Sequence, residues 1–281
     1  MIQDIAPHVF DNHMRFEAPQ AGDAVLVFNE GDDDRFLNVL MRQEQEGAVF
    51  PSRNLLGSDI DLVFAFSVDD KRYFLALPGH GISSALDGWE FRHAGFLDRI
   101  APSEAALAVM TGVHLFRWYA DNRYCGRCGS ALTPKKDLRA LACTSCDNTV
   151  FPKIAPVVIV ALVSDGRLLT IRYAGARGTH RALVAGFVEI GETAEQAVKR
   201  EILEETGLHA KSIRYVCSQP WGYHEELILG YTAELDGSDA ITVEENELAD
   251  AAWTTPAEIE EMEGNPSLTY ELMRRFKRGT L

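Results

Sequence analysis

Glu192, Glu201, Glu204 and Glu205 crowd one short stretch, Gly186 to Leu208, which reads GFVEIGETAEQAVKREILEETGL. Glu201 and Glu205 are one helical turn apart, with Glu204 beside them. Like charges at that spacing cost an isolated helix about 0.2–0.5 kcal/mol per pair, so the cluster calls for a compensating cation. Arg200 can pair with Glu204 or Glu192, but one guanidinium cannot neutralise four carboxylates. Hard oxygen donors of this kind suit Mg²⁺ or Mn²⁺. The competing reading is a solvated acidic helix face, the usual account of a charge run.

The element that must carry these acids is a helix after a loop. Thr193 and Gln196 have capping-box spacing, and Gly207 stands where a helix ends. Ala194, Ala197, Val198 and Ile202 recur at helical spacing and give it one face to bury.

A second set of chemical residues lies upstream. Cys125-Gly-Arg-Cys128 and Cys143-Thr-Ser-Cys146 form two CxxC knuckles, the spacing of a four-thiolate tetrahedral Zn²⁺ site in a zinc ribbon. Disulfides compete, but no secretory signal argues for an oxidising compartment; a redox CxxC would normally open a helix in a βαβ setting. A zinc with four protein ligands is structural. Cys217 is the odd thiol and reads as a small core residue. From Arg123 to Lys153 six basic residues face two acids, which suits either phosphate or nucleic-acid contact or the ordinary polar surface of a small module.

The rest of the chain supplies scaffolding. Its 281 residues suggest two domains, or one and a small module, and 46% hydrophobic residues suffice for a full core. A net charge of −15 argues against broad nucleic-acid or membrane-surface binding. There is no apolar run of membrane-spanning length, and MIQDIAPHVF lacks the marks of a signal peptide; a soluble cytoplasmic protein is expected. Ala24–Phe28, Asp61–Val68 and Arg72–Leu77 have strand composition, the last two joined through Asp69-Asp70-Lys71. Asp32-Asp33-Asp34 reads as a solvated loop tip, and His8, His13, His80 and His93 are scattered. Pro102 and Ser103 open a helix that runs through Gly112. Pro156–Val163, Arg167–Arg172, Ile213–Val216 and Leu227–Leu235 read as strands, with a turn at Ser164-Asp165-Gly166, and Glu258 to Phe276 as largely helical, interrupted at Gly264 to Pro266. Arg172, Arg177 and Arg181 are candidate phosphate contacts.

The acidic stretch fits Gly-x5-Glu-x7-Arg-Glu-U-x-Glu-Glu-x-Gly-U at every fixed position, U being bulky and apolar. That is the Nudix box, and the chain resembles the Nudix hydrolases. The order zinc ribbon, FP-x-IAP from Phe151 to Pro156, the box, then Ser218-Gln219-Pro220-Trp221 is similar to the bacterial NADH pyrophosphatase (NAD⁺ diphosphatase, NudC-type) family. The resemblance is close from about Tyr124 onward and rests on order and length before it. It implies an α/β fold: a catalytic Nudix α/β/α sandwich over 152–281, a zinc ribbon over 121–151 and a β-rich, Nudix-like N-terminal domain over 1–120. It further implies a homodimer whose partner helps complete the site.

The implied activity is hydrolysis of NADH or NAD⁺ to nicotinamide mononucleotide and AMP, with NAD-cap removal from RNA beside it. The divalent-metal ligands carried over are Glu201, Glu205, Glu247 and the Ala185 carbonyl. Metal ions would neutralise the pyrophosphate oxygens and acidify bound water while a glutamate takes its proton. Glu204 is the candidate base and Glu205 the alternative; Glu192 and Arg200 would hold the loop to the helix. Gln219, Pro220, Trp221, Gly222, Tyr223, His224, Glu225 and Glu226 would line the substrate, joined by Phe151 and Thr269. Here the chain departs from the family: SQPW continues GYHEE in place of PFP, Phe151 replaces a tyrosine, Leu138 a glutamate and Thr269 an alanine. Tyr223 is expected to stack on a base or nicotinamide ring, and the added acids rank free dinucleotides above capped RNA. The alternatives are a Nudix hydrolase for another nucleoside diphosphate derivative, such as ADP-ribose, and a zinc-ribbon nucleic-acid-binding regulator with a silent Nudix domain.

Overall fold

The computed structural model describes residues 1–30, 37–45, 47–79, 86–96, 103–174, 180–243, 248–260 and 264–281. Asp32-Asp33-Asp34, His80, Pro102, Arg177 and Glu247 lie outside them. The chain divides into two units, Ile2–Lys153 with Gly222–Glu225, and Ile154–Trp221 with Glu226–Leu281 and Met1.

The first unit holds strands β1 (Phe10–Asp11), β2 (Ala24–Leu26), β3 (Phe28–Glu30), β4 (Leu37–Glu44), β5 (Gly47–Val49), β6 (Leu62–Val68), β7 (Lys71–Ala76) and β8 (Glu90–His93). They form two four-stranded sheets, one in the order β1-β6-β7-β2 and one in the order β3-β4-β5 with β8 on β4. The AVLVF run, expected as one strand, is two. Its pairing passes from β7 to β4 at Val27, whose carbonyl accepts from the Leu40 amide. The β6–β7 hairpin forms as expected, with Asp69 in the left-handed region that aspartate tolerates. Helix α1 (Ser103–Asp121) buries Ala105 to Met110, Val113, Leu115, Phe116, Trp118 and Tyr119. Gly112 serves packing there: a Cβ would lie 2.6 Å from Leu26 Cδ1 and 2.9 Å from Phe28 Cζ. The ribbon strands β9 (Leu132–Pro134), β10 (Leu141–Cys143) and β11 (Thr149–Val150) are grouped with this unit. Arg139 reaches from the ribbon to the carbonyls of Ala65 and Asn12, at 2.6 and 3.2 Å.

The second unit contains β12 (Ala155–Ser164), β13 (Arg167–Tyr173), β14 (Val184–Phe187), α2 (Ala194–Thr206), β15 (Ala210–Trp221), β16 (Glu226–Leu235), β17 (Leu248–Thr254) and α3 (Leu268–Lys277). Its sheet runs β15-β16-β12-β13-β17, with β14 also on β12; β12 and β16 are parallel and the other pairs antiparallel. Asp165 and Gly166 turn β12 into β13 with positive φ at both residues, the twist-matched hairpin geometry. Alternation along β12 sets the layers. Val158, Val160 and Leu162 pack with Ala197, Val198 and Ile202 of α2, while Ile159 and Ala161 pack with Leu268, Leu272 and Met273 of α3. A sheet buried on both faces between helices is the α/β/α arrangement.

The stretch Glu258 to Phe276 is interrupted at Gly264 to Pro266 as expected, and its regular helix lies after the break. A 3-10 turn covers Pro256–Glu258 and α3 begins only at Leu268, because Gly264 takes a positive φ and Pro266 cannot continue a helix. Among the described residues no helix is long and apolar enough to cross a membrane.

Candidate active site

The acidic helix is locked at both ends as the sequence predicts. Thr193 Oγ1 accepts from the Gln196 amide at 3.2 Å, and Gln196 Oε1 accepts from the Thr193 amide at 2.7 Å. Gly207 closes the helix in the left-handed conformation. Between the caps the glutamates differ sharply in environment. Glu205 is 3% exposed, the Glu201 side chain is 13% exposed, and Glu204 faces solvent with 55% of its side chain exposed.

Two features hold this array against the sheet. A Cβ at Gly186 would fall on the Glu201 carboxylate, so glycine is what lets the carboxylate lie on the backbone of β14. Arg200 uses all five of its guanidinium donors. It bonds Glu192 through Nε and Nη2 (3.2 and 2.5 Å), Glu201 and Glu204 through Nη1 (2.6 and 3.0 Å), and the Phe187 carbonyl through Nη2 (2.9 Å). Glu192 also accepts from the Glu189 amide at 2.8 Å. The Arg200 guanidinium, and then that amide, hold the Glu192 carboxyl below its ordinary range, and Glu192 in turn raises Arg200. The loop between β14 and α2 is thus tied to the helix by ion pairs.

The donor set is suited to a hard divalent cation. Glu201, whose carboxylate lies against Gly186, and Glu205 are one turn apart on α2, and a carboxylate as buried as Glu205 is costly without compensating charge. Carboxylates that stay rigid through caps and a saturated guanidinium could hold Mg²⁺ or Mn²⁺ with oxygen ligands. Glu247 falls outside the described residues, and Ala185 lies on β14 opposite Ile159.

Sheet register places other predicted residues. Phe187 is opposite Val157 on β12, Val188 donates to the Pro156 carbonyl, and Glu226 is opposite Ala155. The box loop and the start of β16 therefore sit at one end of the sheet, two strands apart. Ser218 to Trp221 is the end of edge strand β15, not a loop, and an edge tolerates Pro220.

Gln219 does not line an open site. It is 0% exposed, its amide donating to the Pro266 carbonyl at 2.8 Å and its Oε1 accepting from the Leu268 amide at 2.7 Å. Nor is the Tyr223 ring open for stacking, being 5% exposed with its hydroxyl donating to the Ala94 carbonyl at 3.2 Å. Gly222 is buried, Trp221 and Glu225 are half-buried, and Pro220 and His224 are exposed. Burial pushes the half-buried Glu226 up to about 7. Phe151 exposes its ring in the first unit, as Leu138 does its side chain. Thr269 is half-buried on α3 beside Tyr270. Tyr270 helps line a cavity of about 200 Å³ with Arg172, His180, Arg181 and Glu258. Arg172 and Arg181 are both paired with Asp250, at 3.0 and 2.8 Å. Neither Asp250 nor the strand that carries it, β17, was picked out by the sequence.

In the ribbon the four thiols converge. Cys125 and Cys146 are 3.8 Å apart through sulfur and Cys128 and Cys143 3.4 Å, with all four within 4.8 Å of one another. Zn–S bonds of about 2.3 Å give a tetrahedral edge of about 3.8 Å. The Arg127 amide above all, with the Asn148 side chain 3.4 Å away, lowers the Cys125 thiol to about 6, favouring the thiolate that zinc binds.

Residues 153–276 match the family described as NUDIX domain, and residues 120–151 match the NADH pyrophosphatase zinc ribbon domain. Fold, glutamate helix and match agree that residues 153–276 form a Nudix domain. The adjoining ribbon is similar to the zinc ribbon described for NADH pyrophosphatases. Curated relatives from Shigella flexneri and Escherichia coli (strain K12 / DH10B), each named NAD-capped RNA hydrolase NudC, are 42% identical over 142 residues, covering 50% of this chain and 55% of theirs. The chain spans about half the length of the curated relatives it matches. A Nudix hydrolase of known crystal structure from Nitrosomonas europaea is similar over 56% of this chain and 91% of its own, at 22% identity and a TM-score of 0.48.

Proposed function

We propose that this chain hydrolyses the pyrophosphate bond of NADH or NAD⁺ to nicotinamide mononucleotide and AMP, and removes NAD caps from RNA as a second activity. The observation that carries the reading is the Glu201–Glu204–Glu205 array, capped, clamped by Arg200 and set on Gly186. The family match and the name of the relatives support it. Glu201, Glu205 and, by the resemblance, Glu247 and the Ala185 carbonyl would hold Mg²⁺ or Mn²⁺. Such ions, when bound, offset the charge of the pyrophosphate and acidify water. Glu204, which is exposed, would accept the proton of the attacking water, with buried Glu205 as the alternative. One phosphorus–oxygen bond forms to water while the bridging bond breaks, and the leaving phosphate departs as the second mononucleotide. Arg200 holds the helix acids in one geometry through the cycle. Zinc in the ribbon is structural. A cytoplasmic homodimer is part of the same proposal.

Initial rates on NADH, NAD⁺, ADP-ribose and NAD-capped RNA with Mg²⁺ or Mn²⁺ test the reading. NADH or NAD⁺ should lead, and excess chelator should abolish turnover. If ADP-ribose leads, specificity has moved to the other nucleoside diphosphate reading; no turnover on any of them would sink the hydrolase assignment.

A further inference from the structure

The cavity beside Tyr270 belongs wholly to the second unit and to one face of its sheet. Along β17, Ala251 and Trp253 pack on the α2 side, so alternation turns Asp250 and Thr254 to the α3 side. There Met273, 3% exposed, and the half-buried Tyr270 form one wall. The helix that carries the glutamates covers the opposite face. None of the lining residues is among those that the family resemblance sets around the substrate, and Tyr270 is about 100° round α3 from Thr269.

The polar floor of the cavity is fixed by a bonded network. Thr254, 5% exposed, shares a 2.5 Å hydrogen bond with the fully buried Thr170, whose hydroxyl accepts from Arg181 Nη1 at 3.1 Å. Arg172 and Arg181 both donate to Asp250 Oδ2, at 3.0 and 2.8 Å. Glu258 accepts from the Thr255 amide and hydroxyl at 2.9 and 2.7 Å, and the amide above all holds its carboxyl below the ordinary range. With Glu260 also on the lining, two guanidiniums face three carboxylates. A phosphate, which the two arginines alone would invite, meets an excess of negative charge instead. At about 200 Å³ the cavity is smaller than the roughly 300–1,000 Å³ of drug-sized sites, so it holds a single ring and not a dinucleotide. An aromatic face, a polarizable thioether and surplus carboxylate together suit a flat cation.

We propose that this cavity is a binding site for a planar cationic ring of the pyridinium type, separate from the glutamate site and on the other face of the sheet. The claim concerns binding alone and does not depend on the hydrolase reading above. It gives Arg172 and Arg181 a structural task, holding Asp250 and Thr170, in place of a phosphate contact.

The test titrates the full chain at pH 8, where histidine is neutral, with 1-methylnicotinamide, nicotinamide and inorganic phosphate. Binding is followed by NMR of ¹³C-labelled methionine methyls, the Met273 signal being assigned with Met273→Leu. 1-Methylnicotinamide should shift that signal and bind about tenfold more tightly than nicotinamide, the same ring without the charge. Phosphate should neither shift it nor compete. Tyr270→Leu should weaken the cation about tenfold and Glu260→Gln about threefold, while KM for any dinucleotide the wild type hydrolyses stays unchanged. Equal affinity for the two rings, a Met273 signal that does not move, or competition by phosphate would each overturn the proposal. A KM that rises in step with the loss of binding would make the cavity part of the substrate path and overturn the claim of a separate site. If the wild type hydrolyses no dinucleotide, the hydrolase reading fails and the titrations still decide this one. Should Tyr270→Leu fail to fold, Glu260→Gln and the Met273 shift decide it.

Discussion

Helices α1 and α2 each pack on a sheet that contains one parallel strand pair, β2–β7 in the first unit and β12–β16 in the second. Each contact also uses a glycine to bring elements close. On α1 the space at Gly112 is taken by hydrocarbon, Leu26 and Phe28. Opposite α2 the space at Gly186 is taken by the Glu201 carboxylate. The same packing device thus serves cohesion in one unit and holds a charge in place in the other. What differs is the side chain admitted, and α1 has acids only at its ends, Glu104 and Asp121.

If that contrast is right, Glu205→Gln should cut kcat about 10³-fold by removing a metal ligand or base. Glu104→Gln, in the first turn of α1, should leave steady-state rates unchanged. Gly186→Ala comes next: it displaces the Glu201 carboxylate, and misplacement on that scale should lower kcat/KM about 10²-fold. Gly112→Ala should instead overpack the first unit, costing about 1–3 kcal/mol in a denaturant melt. Equal losses of activity from the two alanines would erase the distinction between cohesion and chemistry.

A smaller effect is expected at Gln219→Ala. It strips two hydrogen bonds from the entry to α3 and should destabilise the second unit by about 1–3 kcal/mol, with little change in metal dependence. The smallest concerns Glu226. Its folded-state pKa, about 7, is above that of an unfolded glutamate, so its protonated form favours folding. Stability from this group is full below the unfolded value and falls as pH rises toward 7. Glu226→Gln should therefore melt increasingly above wild type between about pH 5 and 8; parallel melting curves would remove the burial argument.

Much of the catalytic unit was legible because its signals are local. The capping box at Thr193 and Gln196, the left-handed Gly207 and the Asp165-Gly166 turn are each fixed by a few adjacent residues. The ribbon was legible for a different reason, since paired thiols converge on one geometry. What escaped depends on partners distant in sequence. Val27 splits a strand because β4 claims its carbonyl, and Tyr223 is buried because Ala94 and α1 receive it. Arg172 and Arg181 read as loose cations until Asp250 is brought beside both. The stop at Gly264 to Pro266 was, by contrast, legible, because each of these residues breaks a helix on its own.

Gln219 carries one more consequence. Its primary amide donates to Pro266 and accepts from Leu268 at the same time; an ionised carboxylate would meet one carbonyl with like polarity. A letter in a recognition motif can therefore be grammar rather than vocabulary. On the proposed function, attempts to retune the chain toward a new nucleotide would do best to leave Gln219 untouched, since altering it would rewrite the helix entry before it changed any substrate.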